Sequence, residues 1–146
     1  MSNVLAVIAE YNPFHNGHLY QFQKAKKDTD SKYSIAILGG NFTQRGSTSV
    51  VDKWSKAQMA LDNGFDLVVE LPLLYSISSA ENFAEGSIKL LDSMKVVDFL
   101  SFGTETDDLQ ILDKIATILY EEPKAFKSLL SIELRKGISF PKARSN

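Results

Sequence analysis

The sequence predicts an α/β fold in which helices cover both faces of a doubly wound parallel sheet. Short apolar runs rich in Val and Ile alternate with longer segments whose apolar residues recur at helical spacing. This alternation is typical of βαβ units, and right-handed crossovers then place helices on both sides of the sheet. In such sheets ligands bind beyond the carboxyl ends of the strands, near the topological switch point.

Four apolar runs are predicted to form the strands. Asn3–Glu10 is almost continuously apolar, as expected for a buried strand of a parallel sheet. The other three are shorter, and each is followed within two residues by glycine or proline, which favour turns. These three predicted strands are Tyr33–Leu38, Asp66–Glu70 and Val96–Phe102.

Helical spacing predicts five helices. The first begins near His18, and Asp52 is expected to cap the second. The remaining three are predicted over Ser79–Met94, Asp107–Tyr120 and Pro123–Lys136, while 41–51 and 71–76 are predicted loops and 138–146 is left without an element. The residues predicted to face inward are Trp54, Ala57 and Leu61 on the second helix, Phe83, Ala84, Ile88 and Leu91 on the third, and Leu109, Leu112, Ala116 and Leu119 on the fourth.

Composition places the chain among ordinary globular proteins. It has 146 residues, of which 44% are hydrophobic and 23% charged, and no apolar run approaches the roughly 20 residues of a membrane span. Cysteine is absent, which excludes disulfides and thiolate zinc sites. With no basic-flanked leader segment, these features predict a cytoplasmic protein without a membrane partner.

Charge is distributed unevenly although the net charge is only −2. Residues 20–60 carry seven Lys or Arg and three Asp or Glu, whereas residues 61–146 carry nine and fourteen. A local positive excess suits an anionic ligand, and ordinary surface scatter is the alternative.

The strongest chemical signal follows the first predicted strand. The only two histidines, His15 and His18, lie three residues apart at the start of the first helix. Gly17 between them allows close backbone approach, and a helix N-terminus attracts anions. Imidazole donors there can stabilise charge that builds on a phosphorus centre, so both are candidate catalytic residues acting on nucleotide phosphates. The alternatives are two surface histidines, or a zinc site with Glu10 as third ligand.

Further candidates follow the other strands. After the second strand, Asn41 and Gln44 can fix polar groups of a substrate, and Arg45 can clamp a phosphate or carboxylate unless it lies in a solvated loop. Glu70 ends the third strand, where it binds a substrate group or caps a turn. Gly103 follows the fourth, where it makes room for a nucleotide or forms a tight turn.

Three residues near the second helix are predicted to lie outside the ligand-binding set. Lys53 and Lys56 have a possible phosphate role, but surface positions are predicted for both. Trp54 is predicted to belong to the core rather than to a platform on which a base stacks.

The histidine turn also carries a resemblance to known proteins. His15-Asn16-Gly17-His18 resembles the H-x-G-H signature of the α/β nucleotidyltransferase superfamily, which includes synthetases with the HIGH motif. The longer strings AEYNPFHNGHLYQ, GGNFTQRG, VDKW, DLVVELP and FGTE are similar to the tRNA(Met) cytidine acetate ligase family, from about Val4 to SFPKAR. The resemblance implies a Rossmann-like nucleotidyltransferase fold of the HIGH type, forming a single ATP-binding domain over residues 1–146.

The resemblance also implies an activity. The family activates acetate with ATP as acetyl-adenylate and transfers the acetyl group to N4 of the wobble cytidine of elongator tRNA(Met). The implied partners are ATP, which brings Mg²⁺ with it, acetate and that tRNA; no DNA partner and no protein metal site are expected. Two alternatives stay open: an adenylyltransferase joining AMP to a small phosphorylated metabolite, and a non-catalytic nucleotide- or RNA-binding module.

The family's ATP-binding segment corresponds to about Val7–Gln21 here. The residues that the resemblance assigns to ATP binding are Val7, Ile8, Ala9, Glu10, Tyr11, Asn12, Pro13, Phe14, His15, Asn16, Gly17, His18, Leu19, Tyr20 and Gly103. Because family members are longer, we expect an N-terminal fragment that lacks a later nucleotide-contacting Asn and Arg and a C-terminal region for tRNA.

Overall fold

The computed structural model describes residues 3–104, 106 and 108–145. The chain divides into two compact units, Met1–Gly103 and Thr104–Asn146, and each is described by itself. The prediction that residues 1–146 form a single nucleotidyltransferase-like domain stays a prediction. The start of the fourth predicted helix, Asp107, lies outside the described residues.

The first unit is built on a parallel four-stranded sheet, as predicted. Its strands are β1 (Asn3–Ala9), β2 (Ser31–Leu38), β3 (Leu67–Glu70) and β4 (Phe99–Ser101), in the order β3-β2-β1-β4. All three neighbouring pairs are parallel. The chain moves outward from β1 to β3 and returns to place β4 on the other side of β1. The switch point therefore lies between β1 and β4.

Helices follow the strands in the expected alternation. The first unit contains α1 (Asn16–Asp28), α2 (Lys53–Asp62), α3 (Leu73–Ser76) and α4 (Ala80–Met94), and the second contains α5 (Leu109–Glu121), α6 (Lys124–Arg135) and α7 (Phe140–Ser145). None of these described helices has both the length and the apolar character needed to cross a membrane.

Two short helices were not predicted. The predicted loop 71–76 contains α3, which starts after Pro72, a residue whose backbone φ of −53° is preset for a helix start. The tail, to which the pattern assigned no element, contains α7. Both helices are too short for apolar periodicity to reveal them.

Alternate residues of the central strands face two separate apolar clusters. Leu5 and Val7 of β1 pack with Phe22 of α1 and Ala60 of α2 on one face. Ala6 and its β2 neighbours pack with Leu91 of α4 on the other face. The sheet is therefore covered by helices on both sides, which is the predicted doubly wound arrangement.

The predicted inward stripe of α2 is wrong. Trp54 is 75% exposed and Leu61 42% exposed, while the buried residues of this helix are Lys56 and Ala60. The helix is rotated relative to the prediction because the amine of Lys56 finds carbonyl partners at the end of β2.

The inward stripes of α4 and α5 are also partly wrong. On α4, Leu91 is buried as predicted, but Ala84 and Ile88 are exposed and the small residues Gly86 and Ser87 are buried instead. Gly86 lies where any Cβ would collide with the ring of Tyr75 of α3, so this face of α4 fits against α3. No residue of α5 is buried, since helical spacing identifies an apolar face without supplying an element to cover it.

Candidate active site at the switch point

The histidine turn joins β1 to α1 and is fixed by its own side chains. His15 is the N-cap of α1, and its Nδ1 accepts a hydrogen bond from the backbone N–H of Gly17 at 3.1 Å. The backbone N–H of His15 donates to Nδ1 of His18 at 3.3 Å. At Gly17 a Cβ would lie 3.0 Å from Cε1 of His15, so glycine keeps this cap unhindered. The two histidines thus form a reciprocal capping box.

This capping determines which imidazole nitrogens carry protons. Because each Nδ1 accepts a backbone hydrogen bond, the neutral rings carry their protons on Nε2. The rings stack at 3.6 Å between centroids with 20° between their planes. Burial lowers the pKa of His18, and the charge of His15 lowers it further. The turn therefore presents two stacked imidazoles, each with an Nε2–H donor, beside the N-terminus of a helix.

An aromatic residue supports His18 from the protein side. Tyr11 is buried at 2% exposure, and its ring centroid lies 4.8 Å from that of His18 and 4.7 Å from that of Phe14. Its backbone adopts a φ of 46°, a left-handed conformation that bulky residues rarely take. Burial raises the pKa of Tyr11 above its ordinary value, so its hydroxyl stays protonated. The buried ring of Tyr11 thus provides a rigid surface against which the imidazole of His18 packs.

A concave site of about 400 Å³ lies at the switch point. Its lining comes from the end of β1, the histidine turn, α1 and the segment after β4: Ile8, Ala9, Glu10, Tyr11, Asn12, Pro13, His15, His18, Gln21 and Gly103. Gln21 lies three residues after His18, on the same face of α1, and donates to Oγ of Ser101 in β4 at 3.4 Å. The site thus opens where an α/β sheet is expected to hold its ligand.

The other residues predicted to contact ATP have different surroundings. Val7 is buried in the core, and Phe14 packs against the same cluster. Asn16, Gly17 and Leu19 belong to the first turn of α1, and Tyr20 is 68% exposed beside it. For the full predicted set, contact with a nucleotide stays a prediction.

Glu10 and Asn12 connect this site to the segment after β2. The backbone N–H of Gln44 donates to Oε1 of Glu10 at 2.5 Å, and that of Val50 donates to Oδ1 of Asn12 at 2.7 Å. In the described part of the chain, no three His, Asp or Glu residues are grouped so that they can hold a metal ion. The zinc alternative therefore finds no support, and Glu10 holds a loop instead.

The residues predicted from the 41–51 loop have separate positions. Oδ1 of Asn41 accepts from the backbone N–H of Lys53 at 2.8 Å, which ties the loop to the start of α2. Gln44 contributes its backbone to the contact with Glu10. Arg45 is exposed next to a turn closed by Gly46 and Thr43. Of the three, Arg45 has its charged group open to solvent.

Lys56 is a residue whose role the sequence did not reveal. The predicted surface position is wrong, because Lys56 is 1% exposed. Its Nζ donates to the carbonyls of Gly39 and Gly40 and to Oγ of Ser49. Burial lowers the pKa of Lys56, while the charges of Glu10 and Glu70 act to raise it. Lys56 thereby fastens the loop to the end of β2.

Glu70 ends β3 beside this lysine. Its Oε2 accepts from Nζ of Lys53 at 2.8 Å, and a Cβ at Gly40 would collide with its Oε1. Ala9 pairs with Leu38 and Leu38 pairs with Glu70, so these three residues form one row across β1, β2 and β3. Glu70 and the histidine turn therefore lie at the same edge of the sheet.

A parallel sheet with a histidine-capped helix at its switch point defines an α/β protein whose first helix begins at the expected ligand-binding edge. The family described as HIGH Nucleotidyl Transferase matches residues 2–146, and the chain belongs to this family. The predicted HIGH-type fold is thereby confirmed.

Curated relatives show a more specific likeness. The chain is 56% identical to the tRNA(Met) cytidine acetate ligase of Thermoanaerobacter sp. (strain X514), over 97% of this chain and 35% of the relative. It is 54% identical to the ligase of the same name from Caldanaerobacter subterraneus subsp. tengcongensis, over 96% of this chain and 35% of the relative. The predicted resemblance is confirmed, and the chain spans about 35% of the length of these relatives.

Solved structures agree with this likeness. Apo Thermotoga maritima TmcAL (form I) superposes with a TM-score of 0.90 at 46% identity, over 97% of this chain and 34% of that chain. The form II crystal structure of the same protein, bound with alpha-thio ATP, superposes with a TM-score of 0.88 over the same shares.

Proposed function

We propose that the protein binds ATP in the concave site at the switch point and forms the ATP-binding part of an acetate ligase that modifies elongator tRNA(Met). The observation that carries this proposal is the pair of stacked imidazoles, whose Nε2–H groups flank the N-terminus of α1. Hydrogen-bond donors fixed in this way stabilise negative charge without reorganising when it develops. A cytoplasmic location fits these substrates.

The first step is adenylation of acetate. A carboxylate oxygen of acetate attacks the α-phosphorus of ATP, and the bond to the oxygen that bridges to the β-phosphorus breaks. The bonding electrons leave with pyrophosphate, and acetyl-adenylate remains. Negative charge spreads over the phosphoryl oxygens during the attack, and the Nε2–H groups of His15 and His18 are the donors that stabilise this charge.

The remaining site residues receive supporting roles. Mg²⁺ bound to ATP would neutralise part of the charge of the phosphates. Gly103 lines the site together with the histidine turn and allows close approach of the nucleotide. Arg45, which is exposed in the loop held by Glu10, is the cation available for pyrophosphate or acetate.

The second step transfers the acetyl group to RNA. The N4 amine of the wobble cytidine attacks the acetyl carbon, AMP leaves with the electrons of the broken C–O bond, and the amine loses one proton. The choice of acetate and tRNA(Met) rests on the names of the relatives. Because the chain spans about 35% of those proteins, the complete reaction is proposed for a chain of their length.

Isotope exchange between pyrophosphate and ATP tests the first step. We expect exchange that depends on acetate, because acetyl-adenylate formation is reversible and contains no RNA. Exchange that requires a phosphorylated metabolite instead would support the adenylyltransferase alternative. ATP binding with no exchange under any carboxylate would identify a non-catalytic binding module.

Gly103 provides a separate test of the nucleotide position. A Cβ at Gly103 meets no atom within 4 Å, so Gly103→Ala is expected to change stability by less than about 0.5 kcal/mol. If the nucleotide lies against Gly103, the same methyl group weakens ATP binding. Unchanged ATP affinity in calorimetric titrations would contradict the proposed contact.

A further inference from the structure

The exposed indole of Trp54 lies beside a second concavity at the carboxyl edge of the sheet. This concavity is bordered by the ends of β2 and β3 and the start of α2, with lining residues Leu38, Gly39, Lys53, Trp54, Ala57, Val68 and Glu70. Trp54 is 75% exposed, in contrast to the core position that helical spacing predicted. A large aromatic surface is therefore open to solvent at the edge where the sheet is expected to bind ligands.

Charged groups of both signs surround this indole. Nζ of Lys53 lies over the ring at 5.2 Å from its centroid and also pairs with Oε2 of Glu70 at 2.8 Å. Leu38 and Val68 add aliphatic surface to the lining of the same concavity. An apolar protein segment bound here would remove these charges from water without offering them hydrogen bonds, which is unfavourable. A planar group with a π face and a polar edge matches the arrangement instead.

Another exposed concavity of the first unit has a more apolar lining. The concavity beside α4 and β4 is lined mainly by apolar residues, among them Ile88, Val97 and Phe99. Such a surface suits packing against other apolar side chains. Trp54, in contrast, offers an exposed aromatic face beside an ion pair, and unstacked bases stack on such aromatic faces.

The sheet register places this concavity next to the candidate active site. Ala9, which lines the switch-point site, lies in one row with Leu38 and Glu70, which line the second concavity. Two strand spacings separate Ala9 from Glu70, a distance of about 10 Å. A base seated beside Glu70 would therefore lie about 10 Å from the strand end that leads into the histidine turn.

We propose that Trp54, Lys53 and Glu70 form a subsite for a nucleobase of single-stranded RNA, in which the base stacks on the indole. The inference rests on the proposed function and extends it, because it assigns the RNA that accepts the acetyl group a position at the same edge of the sheet. The Glu70 carboxylate accepts from an exocyclic amine of the base, and the Lys53 ammonium holds that carboxylate in place through its ion pair.

Trp54 is the only tryptophan in the sequence, so its fluorescence reports directly on this subsite. The probe is a short single-stranded oligocytidylate at low salt, compared with an abasic oligonucleotide of the same length and phosphate number. Stacking is expected to quench the indole emission and to protect it from acrylamide, with the abasic strand doing neither. Equal quenching by both strands, or none by either, would overturn the proposal, as would an indole that acrylamide cannot reach in the free protein.

Variants separate stacking from general loss of structure. Trp54→Ala is expected to weaken binding of labelled oligocytidylate about tenfold or more, whereas Trp54→Phe retains most of the affinity. Leu74→Ala is the matched control, because Leu74 is also an exposed apolar residue, at 84% exposure. An equal loss in Trp54→Ala and Leu74→Ala, or no loss in Trp54→Ala, would contradict a stacking role.

The two proposals can fail independently. Acetate-dependent exchange between pyrophosphate and ATP by the unsubstituted protein contains no RNA and reports only on adenylation. Base-dependent quenching without exchange would leave the subsite standing and remove the proposed ligase chemistry. Exchange without base-dependent quenching would remove the subsite and leave adenylation standing.

Discussion

His15 and His18 each use Nδ1 to accept a backbone hydrogen bond of the turn that carries them, and their rings stack at 3.6 Å between centroids. One side of each ring therefore builds the helix N-terminus, and the other side is left with an N–H donor. Structure and chemistry depend on different atoms of the same side chains, so substitutions can separate them.

Asparagine and glutamine provide that separation. The Oδ1 of asparagine replaces Nδ1 as the cap acceptor but leaves no donor at the Nε2 position, whereas the amide nitrogen of glutamine reaches that position without the cap. We expect His15→Asn and His18→Asn to slow acetate-dependent exchange by roughly 10²-fold, about 3 kcal/mol, because a charge-stabilising donor is lost. ATP affinity should fall much less, since the donors act mainly as charge develops.

Glutamine at the N-cap position is the matched control. His15→Gln is expected to lower the free energy of unfolding by about 0.5–2 kcal/mol through loss of the N-cap, and to keep more exchange activity than His15→Asn. Urea denaturation and the exchange assay measure the two effects. If binding and rate fall equally in the asparagine variants, the histidines hold phosphate in the ground state instead.

The lowered pKa of His18 predicts a dependence of stability on pH. Burial is the main cause and the charge of His15 the second, so the folded protein resists protonating this ring. The unfolded chain takes up the proton at about pH 6.5 and the folded chain only at lower pH. The free energy of unfolding contributed by His18 is therefore complete above about pH 6.5 and falls as the pH decreases toward the folded pKa.

His18→Asn isolates this contribution because it keeps a cap acceptor and does not titrate. Melting curves of both proteins between about pH 8 and pH 5 should show a steeper acid-side loss in the unsubstituted chain. Parallel curves over that range would show that His18 titrates alike in the folded and unfolded states.

The buried amine of Lys56 predicts a large stability effect from a residue outside the concave site. Lys56→Met preserves chain length and apolar packing but removes the donor to Gly39, Gly40 and Ser49. Buried carbonyls left without a donor should lower the free energy of unfolding by about 1–3 kcal/mol. Backbone amides of loop 41–51 should also exchange hydrogen faster, because Lys56 fastens that loop to β2.

Lys89→Met serves as the control for loss of a lysine charge. Lys89 is exposed on α4 and pairs with Glu85 four residues earlier, so its removal should change stability by less than about 0.5 kcal/mol. A Lys56→Met protein that unfolds at the same urea concentration as Lys89→Met would show that the buried amine contributes nothing.

The strands and the histidine turn could be predicted because their signals are local. Val and Ile runs bounded by glycine or proline mark buried parallel strands, and parallel strands bring their carboxyl ends to one edge. His15 and His18 are adjacent to the first strand in sequence, so their placement at this edge required no long-range information.

The orientation of α2 could not be predicted in the same way. Lysine is almost never fully buried unless paired, and the partners of Lys56 are carbonyls 16 and 17 residues away, which leave no periodic signal. Its spacing of four from the buried Ala60 was the one available indication. Trp54 lies two positions before Lys56 on the helix, so a rotation that buries Lys56 turns Trp54 toward the edge of the sheet. The wrong prediction for Lys56 therefore led to the wrong prediction for Trp54.

The cations of residues 20–60 predict how strongly this chain binds RNA through phosphates. Of the seven Lys and Arg in this segment, Lys24 pairs with Asp28, Lys26 with Asp66 and Lys53 with Glu70, and Lys56 is buried. Within the described residues of this segment, the three exposed cations without a carboxylate partner are Lys27, Lys32 and Arg45. The positive excess seen in the sequence is therefore largely neutralised in the fold.

We expect labelled tRNA(Met) to bind this chain weakly and with a shallow salt dependence. Each phosphate contact contributes about −0.7 to the slope of log K against log salt for single strands, so three free cations allow a slope of about −2. Lys27→Gln and Arg45→Gln should each reduce its magnitude by about 0.7, whereas Lys24→Gln should change it less because Asp28 already neutralises Lys24. Titrations at several salt concentrations measure these slopes. A slope much steeper than −2, or equal effects of Lys24→Gln and Arg45→Gln, would mean that tRNA contacts cations other than these three, and that the ion pairs of α1 open when RNA binds.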